Sequence, residues 1–125
     1  LMNRAGERDG IEGAVRDLEA AAKACDQCSQ VLAVLGMVYV QAGRRADAEQ
    51  LLARMERRAE DGYLPATSIA AVRNALGDEA GTLDLLERGL EERDVRMTFL
   101  RIDGRWDNLR DAPRFRAIDA RMRFP

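Results

Sequence analysis

Residues 31–55 read VLAVLGMVYVQAGRRADAEQLLARM, and they carry the clearest structural pattern in the chain. Its apolar residues recur at the three- and four-residue spacing of a helix face, pause at Gly43, and then resume. A shift of 34 residues places Gly43 over Gly77 and brings a second pair of helices into register. Like residues then coincide, as in Leu35 over Ile69, Gly36 over Ala70, Val38 over Val72, Leu51 over Leu85 and Leu52 over Leu86. A period of this length predicts stacked helical hairpins.

The same shift in the other direction reveals half of an earlier copy. Ala14 falls under Ala48, Leu18 under Leu52 and Ala21 under Met55. The first helix of that copy is largely missing, with residues 1–5 as its only remnant. The sequence therefore predicts about two and a half repeats, and the missing half suggests that the chain is the end of something longer.

The composition excludes several classes of function. The chain has 20 basic and 22 acidic side chains, and this balance gives no general attraction to nucleic acid or membranes. It contains no histidine, which is the commonest general base and metal ligand. The longest apolar run, residues 31–40, is too short to span a bilayer. We expect a cytoplasmic protein without a membrane segment, and no cofactor motif is present.

Helical spacing and end signals predict five helices before residue 95. Asp61-Gly62 interrupts the chain, Ser29 is expected to cap the second helix, and Asp78 the fifth. Short connections imply antiparallel neighbours. The predicted helices are Gly10–Ala24, Val31–Gln41, Ala46–Ala59, a helix opened by Pro65 and ending at Gly77, and one after Asp78.

The central hairpin resembles a tetratricopeptide repeat. The residues that carry the resemblance are Leu32, Leu35, Gly36, Tyr39, Gly43, Ala48 and Leu52. In the second copy Arg73 replaces the expected aromatic residue and Thr82 the expected alanine. The resemblance implies an all-α fold, a right-handed superhelical stack of antiparallel hairpins. In it, Gly36 and Ala48 would be small where the two helices of one hairpin cross.

The last quarter of the chain departs from the period. It holds four of the six aromatic residues and ends in a helix opened by Pro113. A stack of repeats needs a distinct terminal element over its last apolar face. We therefore expect residues 1–94 to form the repeats and residues 95–125 a capping segment of the same domain. Its apolar residues include Phe99, Leu100, Ile102, Trp106, Leu109, Phe115, Ile118 and Met122.

The second half of the chain is also similar to the C-terminal tetratricopeptide segments of large bacterial signalling proteins. In those proteins the repeats follow a winged-helix, Ser/Thr kinase or nucleotide-cyclase domain. Gly104 and Ala112 depart from that pattern, which usually has proline and aspartate there. The matching residues are Tyr63-Leu64-Pro65, Leu76-Gly77-Asp78, Leu86-Glu87, Glu91 to Asp94, Ile102-Asp103, Trp106-Asp107, Leu109-Arg110 and Pro113 to Phe115.

Cys25-Asp26-Gln27-Cys28 is the one motif that suggests chemistry. A redox pair needs a strand-to-helix setting that lowers a thiol pKa, whereas this pair lies at a junction between helices. A zinc site needs four ligands, and the pair supplies two. We favour ordinary use of small side chains over a disulfide, and a disulfide over a metal.

Charged clusters are better explained as helix surface than as catalytic or nucleic-acid sites. Glu60-Asp61 and Glu91-Glu92 fall at helix ends without apolar surroundings that would raise a carboxyl pKa. The arginines after residue 100 alternate with aspartates, which favours internal ion pairs over an acidic protein partner, and a partner over a phosphate track. These aspartates are Asp103, Asp107, Asp111 and Asp119, and the arginines are Arg101, Arg105, Arg110, Arg114, Arg116, Arg121 and Arg123.

The tetratricopeptide resemblance implies that the first helix of each hairpin lines a concave face. The Lys/Asn/Arg set with which some relatives hold a terminal carboxylate is absent, so an apolar trough remains, which suits an amphipathic helix. Missing repeats or a second copy could also cover it. The predicted face comprises Gln30, Ala33, Met37, Val40, Gln41, Leu64, Thr67, Ala71, Asn74 and Ala75.

These observations predict a non-catalytic scaffold for protein or peptide partners, the C-terminal module of a larger bacterial regulator. No cofactor, nucleic acid or membrane partner is expected for this segment. One alternative is a homodimerisation module, in which a second copy covers the apolar end. The other is a redox or metal role for Cys25 and Cys28.

Overall fold

The computed structural model describes residues 4–62 and 64–122, with side chains from Asp9 onward within those ranges. All regular elements in these ranges are helical. The predicted remnant at residues 1–5 lies partly outside them, and its last two residues open α1. The elements are α1 (Arg4–Ala24), α2 (Ser29–Gln41), α3 (Arg45–Asp61), α4 (Ala66–Ala75), α5 (Glu79–Glu91), a first 3-10 helix (Val95–Phe99), a second 3-10 helix (Gly104–Leu109) and α6 (Pro113–Met122).

Two of the predicted helix starts need correction, and one is confirmed. α1 begins at Arg4, ahead of the expected Gly10. Ser29 does not cap α2 but is its first residue, and Cys28 holds the cap position without a side-chain hydrogen bond. Asp78 caps α5 as predicted, because its carboxylate accepts a hydrogen bond from the Gly81 amide at 2.9 Å.

Four helices end in the same way. At each end a residue adopts a left-handed conformation (after α1 the next residue, Gln27, does so as well), and amides that follow the helix bond back to carbonyls of its last turn. In α2 and α4 these bonds are related by the 34-residue shift: Arg44 N donates to Tyr39 O, and Asp78 N donates to Arg73 O. Gly43 and Gly77 take the left-handed position there, whereas Asp26 and Arg93 take it after α1 and α5.

The helices pack in a recurring order. α2 contacts α1, α3 and α4, while α4 contacts α2, α3 and α5, and α6 contacts α5. α2 and α4 lie side by side in the same direction, because Gln30 shares one hollow with Thr67 while Gln41 shares another with Ala75. The core between them is built from Leu32, Leu35, Tyr39, Leu51, Met55, Ile69 and Val72 with Val15 and Ala22 of α1.

Gly36 lies at a close approach of α2 to α4. A Cβ atom at this position would lie 2.6 Å from Cγ2 of Val72. The expectation that Gly36 is small because the two helices of one hairpin cross there is therefore wrong. The contact that requires glycine joins α2 to α4, the first helices of successive hairpins.

Tyr39 and Arg73 occupy the same repeat position and make the same kind of contact. The Tyr39 hydroxyl donates to Glu19 of α1 at 2.7 Å, and the Arg73 guanidinium donates to Glu56 of α3. Burial and the hydrogen bond to Glu19 raise the pKa of Tyr39 to about 12. Arg73 also bonds Asp78 at 2.7 Å. Two contacts hold the pKa of Asp78 below its usual value: the hydrogen bond from the Gly81 amide has the larger effect, and the hydrogen bond from Arg73 the smaller.

The tail after α5 packs only part of its apolar surface against the repeats. Its buried residues lie against Leu83 and Leu86 of α5. Val95, Phe99 and Ile102 are instead 73%, 57% and 79% exposed. The predicted apolar cap included Phe99 and Ile102, so their exposure differs from that expectation. The buried residues of the tail are Met97, Leu100, Trp106, Leu109, Phe115 and Ile118.

Candidate functional site

A groove with two sides and a floor runs along α2. α2 forms one side, α4 forms the floor, and residues 95–109 form the other side, which we call the tail wall. The groove consists of two hollows of about 210 and 240 Å³, which both contact Arg105. The first is lined by Gln30, Ala33, Val34, Thr67, Ser68, Arg96, Phe99, Asp103, Arg105 and Trp106, the second by Met37, Val40, Gln41, Ala71, Asn74, Ala75, Arg105 and Asn108.

The structure places nine of the ten predicted concave residues in this groove. Thr67 and Ala71 are buried in its floor and Ala33 is buried in the side formed by α2. The exposed amide side chains of Gln30 and Gln41 lie at its two ends. The remaining members, Met37, Val40, Asn74 and Ala75, line the second hollow.

Leu64 is the exception, and its assignment to the concave face is wrong. Its side chain is 7% exposed and belongs to the core beside Ile69. It also contacts a separate hollow between Ala59 and Val95. Leu64 lies in the connection before α4, which begins at Ala66, and not on the face of that helix.

Sequence reasoning missed the tail wall, because it treated residues 95–125 as a cap over the end of the stack. A local signal was nevertheless present. The pattern Asp-x-Arg occurs at Asp94 to Arg96 and again at Asp103 to Arg105. In both, the aspartate accepts a hydrogen bond from the amide two residues later at 3.0 Å, and the arginine side chain lines the first hollow.

Hydrogen bonds attach the tail wall to α4 at two levels, one through Asp94 directly before the wall and one within the wall. The buried carboxylate of Asp94 accepts from the Thr67 amide at 3.2 Å and from the Thr67 hydroxyl at 2.7 Å. Asn74 donates to the carbonyl of Arg105 at 2.9 Å and exchanges side-chain hydrogen bonds with Asn108 at 3.0 and 2.8 Å. These bonds fix the distance between the wall and the floor.

The charges of the groove lie on its tail wall. The lining residues from α2 and α4 are all uncharged, whereas the wall contributes Arg96, Asp103 and Arg105. The Asp103 carboxylate is occupied, because Oδ1 accepts from the Arg105 amide and Oδ2 lies 3.0 Å from Arg105 Nε. The lining carries one more positive than negative charge, while the whole chain has a net charge of −2.

Cys25 and Cys28 form a disulfide at the junction of α1 and α2. The favoured expectation of ordinary small side chains is therefore wrong. The turn brings the two residues together because Asp26 and Gln27 both adopt left-handed conformations. Neither cysteine lines the groove. Within the described ranges no group of three or more Cys, Asp or Glu side chains could hold a metal ion.

Four of the seven tail arginines form the predicted ion pairs with the interleaved aspartates. Arg114 instead pairs with Asp84 and Glu87 of α5, and Arg123 lies outside the described residues. Arg105 pairs with Asp103 at 3.0 Å and Arg110 with Asp107 at 2.8 Å. Arg101 with Asp119 and Arg116 with Asp111 form the other two pairs that use the interleaved aspartates. The predicted carboxylate pairs Glu60-Asp61 and Glu91-Glu92 are exposed at the ends of α3 and α5.

Comparison with known proteins yields no match to a protein family, to a curated protein or to a solved structure. Among the helices of residues 4–62 and 64–122, none has the length and hydropathy needed to cross a bilayer.

Proposed function

We propose that this chain is a non-catalytic scaffold that binds a segment of a protein or peptide in the groove along α2. The observation that carries the proposal is the groove itself, which has an uncharged floor and one side with arginines. α2 has 13 residues and is therefore about 20 Å long. That length accommodates about six residues of an extended segment.

The chemistry of the lining supports binding over catalysis. Among the polar side chains that line the groove, amide, hydroxyl and guanidinium groups predominate, and Asp103 is the one carboxylate. General acid–base or nucleophilic catalysis needs a reactive group next to a base, and neither a thiol nor an imidazole lines the groove. Groups of this kind recognise a ligand through hydrogen bonds around an apolar contact.

A tetratricopeptide-type arrangement forms part of this proposal. Three features support it: the 34-residue relation between the ends of α2 and α4, their side-by-side direction, and the order of helix contacts. The resemblance to the C-terminal segments of bacterial signalling proteins supports a role as the cytoplasmic interaction module of a larger regulator. The proposed partner of such a module is a protein.

Selection of peptides from a random phage-displayed library would test the proposal. We expect the selected peptides to shift the amide NMR signals of Met37, Asn74 and Asn108. Ala75→Trp, which fills the second hollow, should weaken binding by roughly tenfold. Ala53→Trp on the exposed surface of α3 is the matched control and should leave the affinity unchanged. Peptides that shift signals elsewhere, or an unaffected Ala75→Trp variant, would contradict the proposal.

Self-association is a second candidate function, favoured by the exposure of Val95, Phe99 and Ile102. Large exposed apolar side chains often mark protein interfaces. Light scattering of the purified chain over a wide concentration range would test it. A dimer that Ile102→Asp converts to a monomer would support self-association, whereas a monomer at every concentration would exclude it.

A redox role for the disulfide requires that replacing both cysteines by serine changes binding.

A further inference from the structure

The first hollow of the groove brings together a guanidinium with unused donors, an exposed aromatic ring and an uncharged floor. Within residues 4–62 and 64–122, Arg96 forms one ion-pair contact, in which Nη1 lies 3.9 Å from Asp94 Oδ1, and its Nε is buried without a hydrogen-bond partner. Phe99 lines the same hollow and is 57% exposed. Ala33 and Val34 complete the apolar side.

The acids near Arg96 are already engaged in holding the wall. The buried carboxylate of Asp94 accepts three hydrogen bonds, two from Thr67 and one from the Arg96 amide. Asp103 is likewise bound to Arg105. Guanidinium groups form their strongest hydrogen bonds with carboxylates and phosphates. The two carboxylates near Arg96 are therefore occupied, and a bound ligand could supply the missing anion.

We propose that the groove selects acidic peptide segments, with a ligand carboxylate at Arg96 and Arg105 and a neighbouring apolar side chain against Phe99. This inference rests on the proposed function and names the chemistry of its partner. A peptide suits the site better than a nucleic acid for two reasons. The uncharged floor and the apolar Ala33, Val34 and Phe99 match peptide side chains, and a lining with only one surplus positive charge is too weakly basic to hold a continuous phosphate backbone.

The chain carries its own reporter for this binding. Trp106 is its single tryptophan, is 4% exposed and lines the first hollow. Its emission should respond to an occupant of that hollow. The probes are three capped peptides of about eight residues, enough to fill the groove. In each, leucine alternates with glutamate, glutamine or lysine.

We expect the glutamate peptide to bind roughly fivefold more tightly than the glutamine peptide, and the lysine peptide to bind least. Raising the salt concentration from about 50 to 300 mM should weaken only the glutamate peptide. Arg96→Gln should remove most of the preference for glutamate over glutamine. Arg57→Gln, which removes one exposed arginine from α3, is the charge-matched control and should preserve it.

Equal affinity for the glutamate and glutamine peptides in the wild-type chain would overturn the inference, while the selected phage peptides would still decide the proposed function. Tighter binding of a thymidine oligonucleotide than of the glutamate peptide would also overturn it. If none of the three peptides binds, the acidic preference is overturned. If the phage selection also yields no peptide that binds, the proposal that the groove is a binding site is overturned too. The comparison among peptides uses the unaltered chain, so it does not depend on the folding of a variant.

Discussion

Gly36 shows how a single hydrogen atom in place of a side chain sets the spacing of successive hairpins. We predict that Gly36→Ala lowers the free energy of unfolding by about 2 kcal/mol, because the added methyl group overlaps Val72. Val72→Ala should relieve the overlap, so the double variant should lose less than the sum of the two single variants. Urea unfolding monitored by circular dichroism measures all four members of this cycle.

Gly13→Ala provides the control for the Gly36 cycle. Gly13 lies inside α1, and its nearest neighbour at the Cβ position is the flexible end of Arg16 at 4.0 Å. Alanine should raise the free energy of unfolding there by about 0.5–1 kcal/mol, because it favours the helix. Additive losses in the Gly36 and Val72 cycle would contradict the proposed contact.

Tyr39 gives a prediction that depends on pH. Its pKa is raised to about 12 in the folded chain, against about 10 in an unfolded chain. The folded state holds the phenol proton more tightly, so this contribution to stability is complete below pH 10 and lost as the pH rises to 12. We expect a loss of about 2 kcal/mol that is absent from Tyr39→Phe. Chemical unfolding of both chains at a series of pH values measures the difference, and parallel profiles would contradict it.

At the scale of elements, the shared helix ends show which backbone positions the sequence reveals. Gly43 and Gly77 are visible as end signals because glycine adopts a left-handed conformation without strain. Asp26 and Arg93 adopt it despite their side chains, so the ends of α1 and α5 carry no glycine signal. These non-glycine positions should store a small conformational cost.

We predict that Arg93→Gly raises the free energy of unfolding by about 1 kcal/mol, because it removes that cost from an exposed position. Gly77→Ala at the equivalent position after α4 should lower it by about the same amount. Thermal and urea unfolding of the two variants provide the measurement. A destabilised Arg93→Gly variant would show that the Arg93 side chain has a contact that outweighs its backbone conformation.

At the scale of the whole molecule, the tail wall depends on Asp94. We predict that Asp94→Ala lowers the free energy of unfolding by about 3 kcal/mol, because it leaves Thr67 with unsatisfied buried donors. Hydrogen exchange of amides in the tail wall should accelerate. Asp107→Ala is the control, since that carboxylate is 70% exposed and pairs only with Arg110 among the described contacts. It should cost less than 1 kcal/mol. Equal effects of the two substitutions would contradict the role of Asp94.

Periodicity accounts for what could be predicted of this molecule. Helices that obey a repeat reveal their buried faces, so the sequence predicted α2 to α5 and, through the resemblance, most residues on two sides of the groove. The tail wall could not be predicted in the same way. Its 3-10 helices follow no period, and its position depends on contacts between residues far apart in sequence, such as Asn74 with Asn108. Leu64 was misplaced although Pro65 marks the start of α4, because the repeat pattern does not show that the connecting residue before Pro65 packs into the core.

The tail wall alternates between residues that anchor it and residues that face the groove. Met97, Leu100 and Leu109 are buried against the repeats, while Arg96, Phe99 and Arg105 line the first hollow. A lineage could therefore change the ligand-facing positions by single substitutions while keeping the anchors. Ligand preference and fold stability would then evolve almost independently within one short segment. The segment offers a protein engineer the same freedom, because a new specificity could be installed without redesigning a helix.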